Sequence, residues 1–163
     1  MSEGVWIDRP IHIVYQTTKN ASTREAHYYR HAIVLKAGAR LSVVEDDQIY
    51  QRQNYFINSM AHLSCDQRAQ LEWVQVRRPL NQHIHVSRVV ADVHQSAHLL
   101  GFQQLSGQLL HHMQTDINLI GDKARCDLAG LYLLDQKGQA DVSLKVNHRA
   151  SATKSTQKYR GLL

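Results

Sequence analysis

The stretch Asp141-Val-Ser-Leu-Lys-Val-Asn-His148 decides the reading of the fold. Val142, Leu144 and Val146 alternate with Asp141, Ser143, Lys145 and Asn147. A side-chain period of two belongs to a strand with one dry face and one wet face. Shorter runs repeat the pattern: Leu41 and Val43, Ile84 and Val86, Ile117 and Leu119, each interleaved with polar residues. Ile11–Tyr15, Tyr28–Leu35, Tyr55–Leu63 and Leu71–Val76 lean the same way by composition. In the last of these the apolar parity flips between Trp73 and Val74, which predicts a bend or bulge.

Turn-like clusters separate the runs at 19–24, 37–40, 45–48, 64–68, 77–82, 121–125 and 135–141. The runs recur about every 12 to 15 residues, a spacing expected of an all-β domain. Leu99–His112 is the best helical candidate, but Gly101 and Gly107 interrupt it. Ser22 and Glu25 have capping-box spacing with no helical period after them. The residues leave a sandwich, a barrel or a parallel solenoid. The chain has no Asn-Gly, Asp-Gly or Gly-Gly pair, so the strongest tight-hairpin signal is missing. A solenoid needs no hairpins. Gly107 and Gly130, and Gly138 and Gly161, share one spacing and suggest a weak repeat.

Length and composition narrow the function classes. The 163 residues make one domain, 1–163, large enough for one continuous core. With 43% hydrophobic and 20% charged residues, the chain is neither disordered nor a coiled coil. Its longest apolar run, Leu128–Leu134, is too short to cross a bilayer as a helix, so no membrane partner is expected. The first ten residues lack the basic and apolar regions of a secretory signal. Two cysteines, Cys65 and Cys126, make no disulfide framework, and a reduced cytoplasmic chain is expected.

The formal charge is +5 and is spread thinly, with one local exception. No acid follows Asp141, while Lys145, Arg149, Lys154, Lys158 and Arg160 do. Such a segment, 145–160, can meet phosphates. Only Tyr159 offers an aromatic platform there, so a solvated basic face is the plainer reading and nucleic acid is not expected as the main partner.

Eleven histidines invite a metal reading. His83 and His85 put two imidazoles on one strand face, as a cupin-like β-barrel enzyme would, but Ser87, Arg88, Val89 and Val90 supply no third ligand. His94 and His98 have the spacing of a zincin, with Gln95 where the general base belongs. His111 and His112 point to opposite faces of a strand. Partly exposed polar histidines account for all of these. His148 continues the parity of Val142, Leu144 and Val146, so it is expected on the buried face with a hydrogen-bond partner. Lys123 and Arg125 precede Cys126 and are cations that can lower a thiol pKa, Cys65 reads as a turn residue, and a structural or incidental thiol is the plainer reading of both. Neither cysteine has a second one close by, as a cluster held by this chain alone would need. There is no Walker A loop, GxGxxG or GxSxG, and the sequon Asn20-Ala-Ser22 is a chance match.

One resemblance gathers these pieces. Gly121-Asp-Lys-Ala124 is followed by Asp141, by a strand ending at His148, by Ser155 and Gln157, and by Tyr159-Arg-Gly161. This order resembles the SufB/SufD family of iron–sulfur cluster assembly proteins, SufD more than SufB. The first half fits more loosely, through Pro10-Ile-His-Ile13, Arg30–Ala39, Tyr55-Phe-Ile-Asn58 and Ala69–Trp73. The resemblance implies a right-handed parallel β-helix, a single-stranded solenoid. It implies a non-catalytic scaffold, with a SufB-like subunit and a SufC-like ATPase as partners. It also implies a central, truncated piece of a longer chain, without the family's terminal helical regions, among them the ATPase-binding one. Residues 91–98 hold no counterpart of the cysteine of the cluster-building chain, so no catalytic residue carries over. A cofactor is not expected on this chain alone, and an iron–sulfur cluster only in the complete assembly. A solenoid with open ends predicts self-association of the isolated chain.

Overall fold

The computed structural model describes residues 1–16, 25–48, 55–77, 83–107, 109–134 and 138–162. Eleven strands follow one another: β1 (Ile11–Gln16), β2 (Glu25–Leu35), β3 (Arg40–Gln48), β4 (Tyr55–Cys65), β5 (Gln70–Arg77), β6 (Ile84–Val93), β7 (His98–Ser106), β8 (Leu110–Leu119), β9 (Arg125–Leu133), β10 (Gln139–His148) and β11 (Lys154–Leu162). Odd strands form sheet A in the order β1-β3-β5-β7-β9-β11. Even strands form sheet B in the order β10-β8-β6-β4-β2. Every pairing is parallel. Each coil gives one strand to each sheet, and the result is a parallel β-solenoid, as expected.

The turns from sheet B to sheet A stack as regularly as the strands. Gly38, Arg68, Ser96, Lys123 and Ala152 all have positive φ, at spacings of 30, 28, 27 and 29 residues. The next residue is the buried Ala39, Ala69, Ala97 or Ala124 in the first four. The first four donate their N–H to the next turn: Gly38 to Gln67, Arg68 to Gln95, Ser96 to Asp122, Lys123 to Ser151. This is the true repeat. The glycine spacing read from the sequence is not, because Gly130 lies in register with Gln103 and Gly161 with Tyr132. Gly121 is required where these turns touch, since a Cβ there would lie 2.0 Å from the backbone nitrogen of Gln95.

The interior has two halves. Near these turns, Leu35, Cys65, Val93 and Leu119 form one row and Leu41, Leu71, Leu99 and Cys126 face them from the other sheet. Each fully buried leucine contributes about 1.5–3 kcal/mol relative to exposure. The other half is polar.

Several expectations are corrected. Leu99–His112 is no helix: it falls in β7 and β8, and among the described residues there is no helix at all. Residues 45–48 are the end of β3, not a turn, and Cys65 closes β4. Asp141 likewise lies within a strand, β10. Trp73 and Val74 mark no bulge, since β5 keeps continuous register with β3 and β7. The parity never flips. Trp73, Gln75 and Arg77 all point inward, and the valines beside them point out. The sequon, Ser22 of the capping box and the clusters at 19–24, 78–82 and 135–137 lie outside the described residues, and Glu25 opens β2.

Candidate functional site

The polar half of the interior is built from register rows. Glu45, Gln75, Gln103, Gly130 and Tyr159 occupy one row across sheet A. Asp47, Arg77, Leu105 and Tyr132 occupy the next. Facing them on sheet B are Tyr29, His31, Ser59, His85, Ser87, His111 and Thr115, all at inward positions. Burial of such groups is tolerable only where they bond one another.

Glu45 is the hub. Its Oε1 accepts from Trp73 Nε1–H at 2.6 Å and from His31 Nε2 at 3.0 Å. Its Oε2 accepts from Gln75 Nε2 at 3.3 Å and lies 3.7 Å from Arg77 Nη2. Burial alone would raise its pKa, but the bond from His31, the Arg77 charge and the Trp73 N–H outweigh that and hold it below the usual value. An ionised carboxylate only accepts, so His31 carries its proton on Nε2. Its Nδ1 lies 3.2 Å from the Tyr15 hydroxyl. An amide relay enters from the other side. Tyr159 Oη donates to Gln103 Oε1 at 3.0 Å, and Gln103 Nε2 donates to Gln75 Oε1 at 3.3 Å.

Arg77 and Asp47 form the second half of the cluster. Arg77 Nη1 donates to Asp47 Oδ1 at 2.6 Å, with both side chains buried. Burial works against the guanidinium charge, but Asp47, Tyr29, Glu45 and Tyr15 together raise its pKa, so it stays charged. Burial raises the pKa of Asp47, and the Glu45 charge adds to this against the pull of Arg77. Asp47 Oδ2 faces His85 Nδ1 at 3.7 Å, beyond hydrogen-bond range. The other His85 nitrogen meets Ser59 Oγ at 2.8 Å. Burial, then Arg77, then His111 and His83 push His85 well below the ordinary imidazole range. The His111 ring packs against it, tilted by 34° with centroids 4.7 Å apart, and bonds Ser87 Oγ at 3.1 Å. Its pKa is lowered to about 3, chiefly by burial and then by Arg77. Both imidazoles are therefore neutral.

The residues singled out from the sequence have mixed fates. His83 and His85 do share the inward face, but both are buried, not partly exposed. Among the described residues no group of three or more His, Cys, Asp or Glu side chains is arranged for a metal ion. The barrel that a cupin-like site needs is replaced by a solenoid. His94 and His98 flank a turn, not a helix, and His98 bonds Asp127 at 2.7 Å. His111 and His112 do face opposite sides, and His112 meets Asp141 outside at 2.8 Å. His148 keeps the inward parity but is exposed, bonded to Thr153 at 2.7 Å and Ser155 at 3.0 Å. Thus His148 and Ser155 come together, while Asp141, Gln157 and Gly161 join neither them nor the cluster. Of the motif residues in 141–161, Tyr159 alone reaches the buried network, which His85 and His111 also enter.

The cations before Cys126 do not lower its pKa. Cys126 is buried in the apolar half, and its pKa rises to about 12, from burial first and then the Asp127 charge. Arg125 points outward and is bonded to Asp127, so it does not help the thiolate. Cys65 is likewise pushed up to about 12 by burial.

Sequence reasoning missed Glu45, Asp47, Arg77, Gln75 and Gln103. The available signal was the alternation of Glu45 and Asp47, and of Trp73, Gln75 and Arg77, which continues the inward parity of Leu41, Val43 and Leu71.

Among curated proteins, none matches the chain. The family model described as SUF system FeS cluster assembly, SufBD core domain, matches residues 15–163. That span takes in every member of the polar cluster, the stacked turns and Asp141 through Gly161, and the chain belongs to the SufBD core family of the iron–sulfur cluster assembly system.

Proposed function

We propose that the chain is a non-catalytic scaffold component of a SufBCD-type assembly in the cytoplasm, working through contacts with a SufB-like subunit and, in the full-length context, a SufC-like ATPase. The observation that carries this reading is the inward closure of its chemistry. Glu45 and Arg77 neutralise one another inside the solenoid, His85 and His111 are held neutral, and both thiols are buried and protonated. A buried thiol with a raised pKa is a poor nucleophile and a poor iron ligand. What the solenoid offers to other chains is its outer surface, carried on two rigid parallel sheets.

Co-expression with a SufB-like chain, with and without a SufC-like chain, tests the proposal. The expected result is a stable complex with the SufB-like chain alone, and iron and sulfide in the complex but not in this chain by itself. Stoichiometric cluster on the isolated chain, or no complex under either condition, would overturn it.

A further inference from the structure

The outer face of sheet A carries an apolar surface that the family assignment does not explain. Val44, Val74, Phe102 and Ala129 lie in one register row that ends on Lys158 of β11. Asp46, Val76, Gln104 and Leu131 lie in the next, which ends on Arg160. Leu100 adjoins them, 39% exposed, and Phe102 is 36% exposed. Contiguous apolar side chains on a polar-rimmed surface mark interaction sites. The rim is uneven. At the far end Asp46 is buried and accepts from Gln48 Nε2 at 3.1 Å, with His12 3.6 Å away. At the β11 end, Lys158 and Arg160 are exposed, and among the described residues neither has a carboxylate in ion-pair range.

We propose that this face docks an acidic amphipathic helix of a partner protein, with its apolar stripe over Val74, Phe102 and Leu131 and its carboxylates on Lys158 and Arg160. From β3 to β11 is four strand spacings, about 19 Å. A helix of about 13 residues covers that distance. A helix laid on a sheet face is a standard way for such a face to be covered. The charge pattern selects the occupant. A second copy of this chain brings the same two cations and a net charge of +5, so it repels where an acidic partner attracts. A nucleic acid would use the cations but leave the aliphatic stripe wet, since Phe102 is its one aromatic group. The face belongs to sheet A itself and holds whichever subunits the chain assembles with.

The experiment uses the full chain and a fluorescent synthetic peptide of about 18 residues, with leucines at i, i+3, i+4 and i+7 and glutamates elsewhere. Anisotropy titrations include a scrambled peptide and a version with lysine for every glutamate. The expected result is binding of the acidic amphipathic peptide only. Binding is expected to weaken about tenfold in Lys158→Glu/Arg160→Glu and again in Phe102→Ser/Leu131→Ser. The charge-reversed pair sits on exposed strand positions, so it keeps the test valid should the serine pair fail to fold. The proposal is overturned if affinity ignores both pairs or if the scrambled peptide binds equally. It is overturned too if an oligonucleotide binds more tightly through the same cations, or if light scattering shows a dimer that Phe102→Ser/Leu131→Ser dissolves.

Discussion

Tyr159 reaches across an intervening strand to Gln103, with 3.0 Å between Oη and Oε1. The two residues sit on β11 and β7, in register with Gly130 of β9 between them. The reach is available only because Gly130 has no side chain. A Cβ there would lie 2.2 Å from the Tyr159 ring. The ring also stacks on Tyr132, with centroids 5.8 Å apart. A glycine on one strand thus ties the outermost strand of sheet A to the buried relay that ends on Glu45.

Gly130→Ala is expected to push the Tyr159 ring out and to cost about 1–3 kcal/mol, the range for overpacking. Urea unfolding of the single variant and of Gly130→Ala/Tyr159→Ala checks this. The alanine should cost much less once the tyrosine ring is gone. Equal costs in both backgrounds would show that the ring is not what the methyl meets.

Arg77→Met is expected to destabilise by about 3–5 kcal/mol, because it strands Asp47 and Glu45 as buried carboxylates without a counter-charge. The triple variant Glu45→Gln/Asp47→Asn/Arg77→Met removes the charges together and should recover much of that loss. The comparison separates the value of the charge pair from the penalty of breaking it. A triple variant no more stable than Arg77→Met would contradict the reading of Arg77 as the neutralising group.

How much of this was legible in the sequence follows from what each signal assumes. Val142, Leu144 and Val146 read correctly because there the apolar residues do face in. On Trp73-Val-Gln-Val-Arg77 the same rule pointed the wrong way, since the inward residues are polar and the valines lie outside. Periodicity reports which residues share a face, not which face is buried. Burial of Gln75 and Arg77 becomes affordable only through Glu45 and Asp47, which are 30 positions away in sequence and adjacent in the coil. The turn repeat was hidden for another reason. Its left-handed position holds glycine once, at Gly38, and otherwise Arg68, Ser96, Lys123 and Ala152, so the usual glycine signature is missing.

Stability is expected to fall as pH drops below about 6.5. His111 has a folded pKa of about 3 against an ordinary 6.5, and His85 is also lowered well below the ordinary value. Between those limits the unfolded chain binds more protons than the folded one, so stability rises with pH, by up to about 1.4 kcal/mol per unit for each histidine. The contribution is fully present above 6.5 and is lost toward 3. Glu45, lowered from 4.5, acts in the same direction at lower pH, and Asp47, raised from 3.8, acts against it. Denaturant midpoints at pH 7 and pH 5 measure the slope, and His111→Gln should flatten it. Equal stability at the two pH values would show that these imidazoles are not held neutral.

Cys65 and Cys126 are expected to react with an aromatic disulfide reagent only when the chain opens. Both lie in the apolar half, with almost no exposed surface. With pKa values raised to about 12, roughly one thiol in ten thousand is ionised at pH 8, and the thiolate is the reactive form. Labelling should therefore follow the unfolding transition, reaching two thiols per chain above the urea midpoint and almost none below it. Substituting Cys126→Ser should cost stability through a buried hydroxyl among aliphatic side chains, while Cys126→Ala should cost less. Rapid labelling of either cysteine in the folded chain would place a thiolate within reach of iron and sulfur, and would remove the main support for a purely scaffolding role.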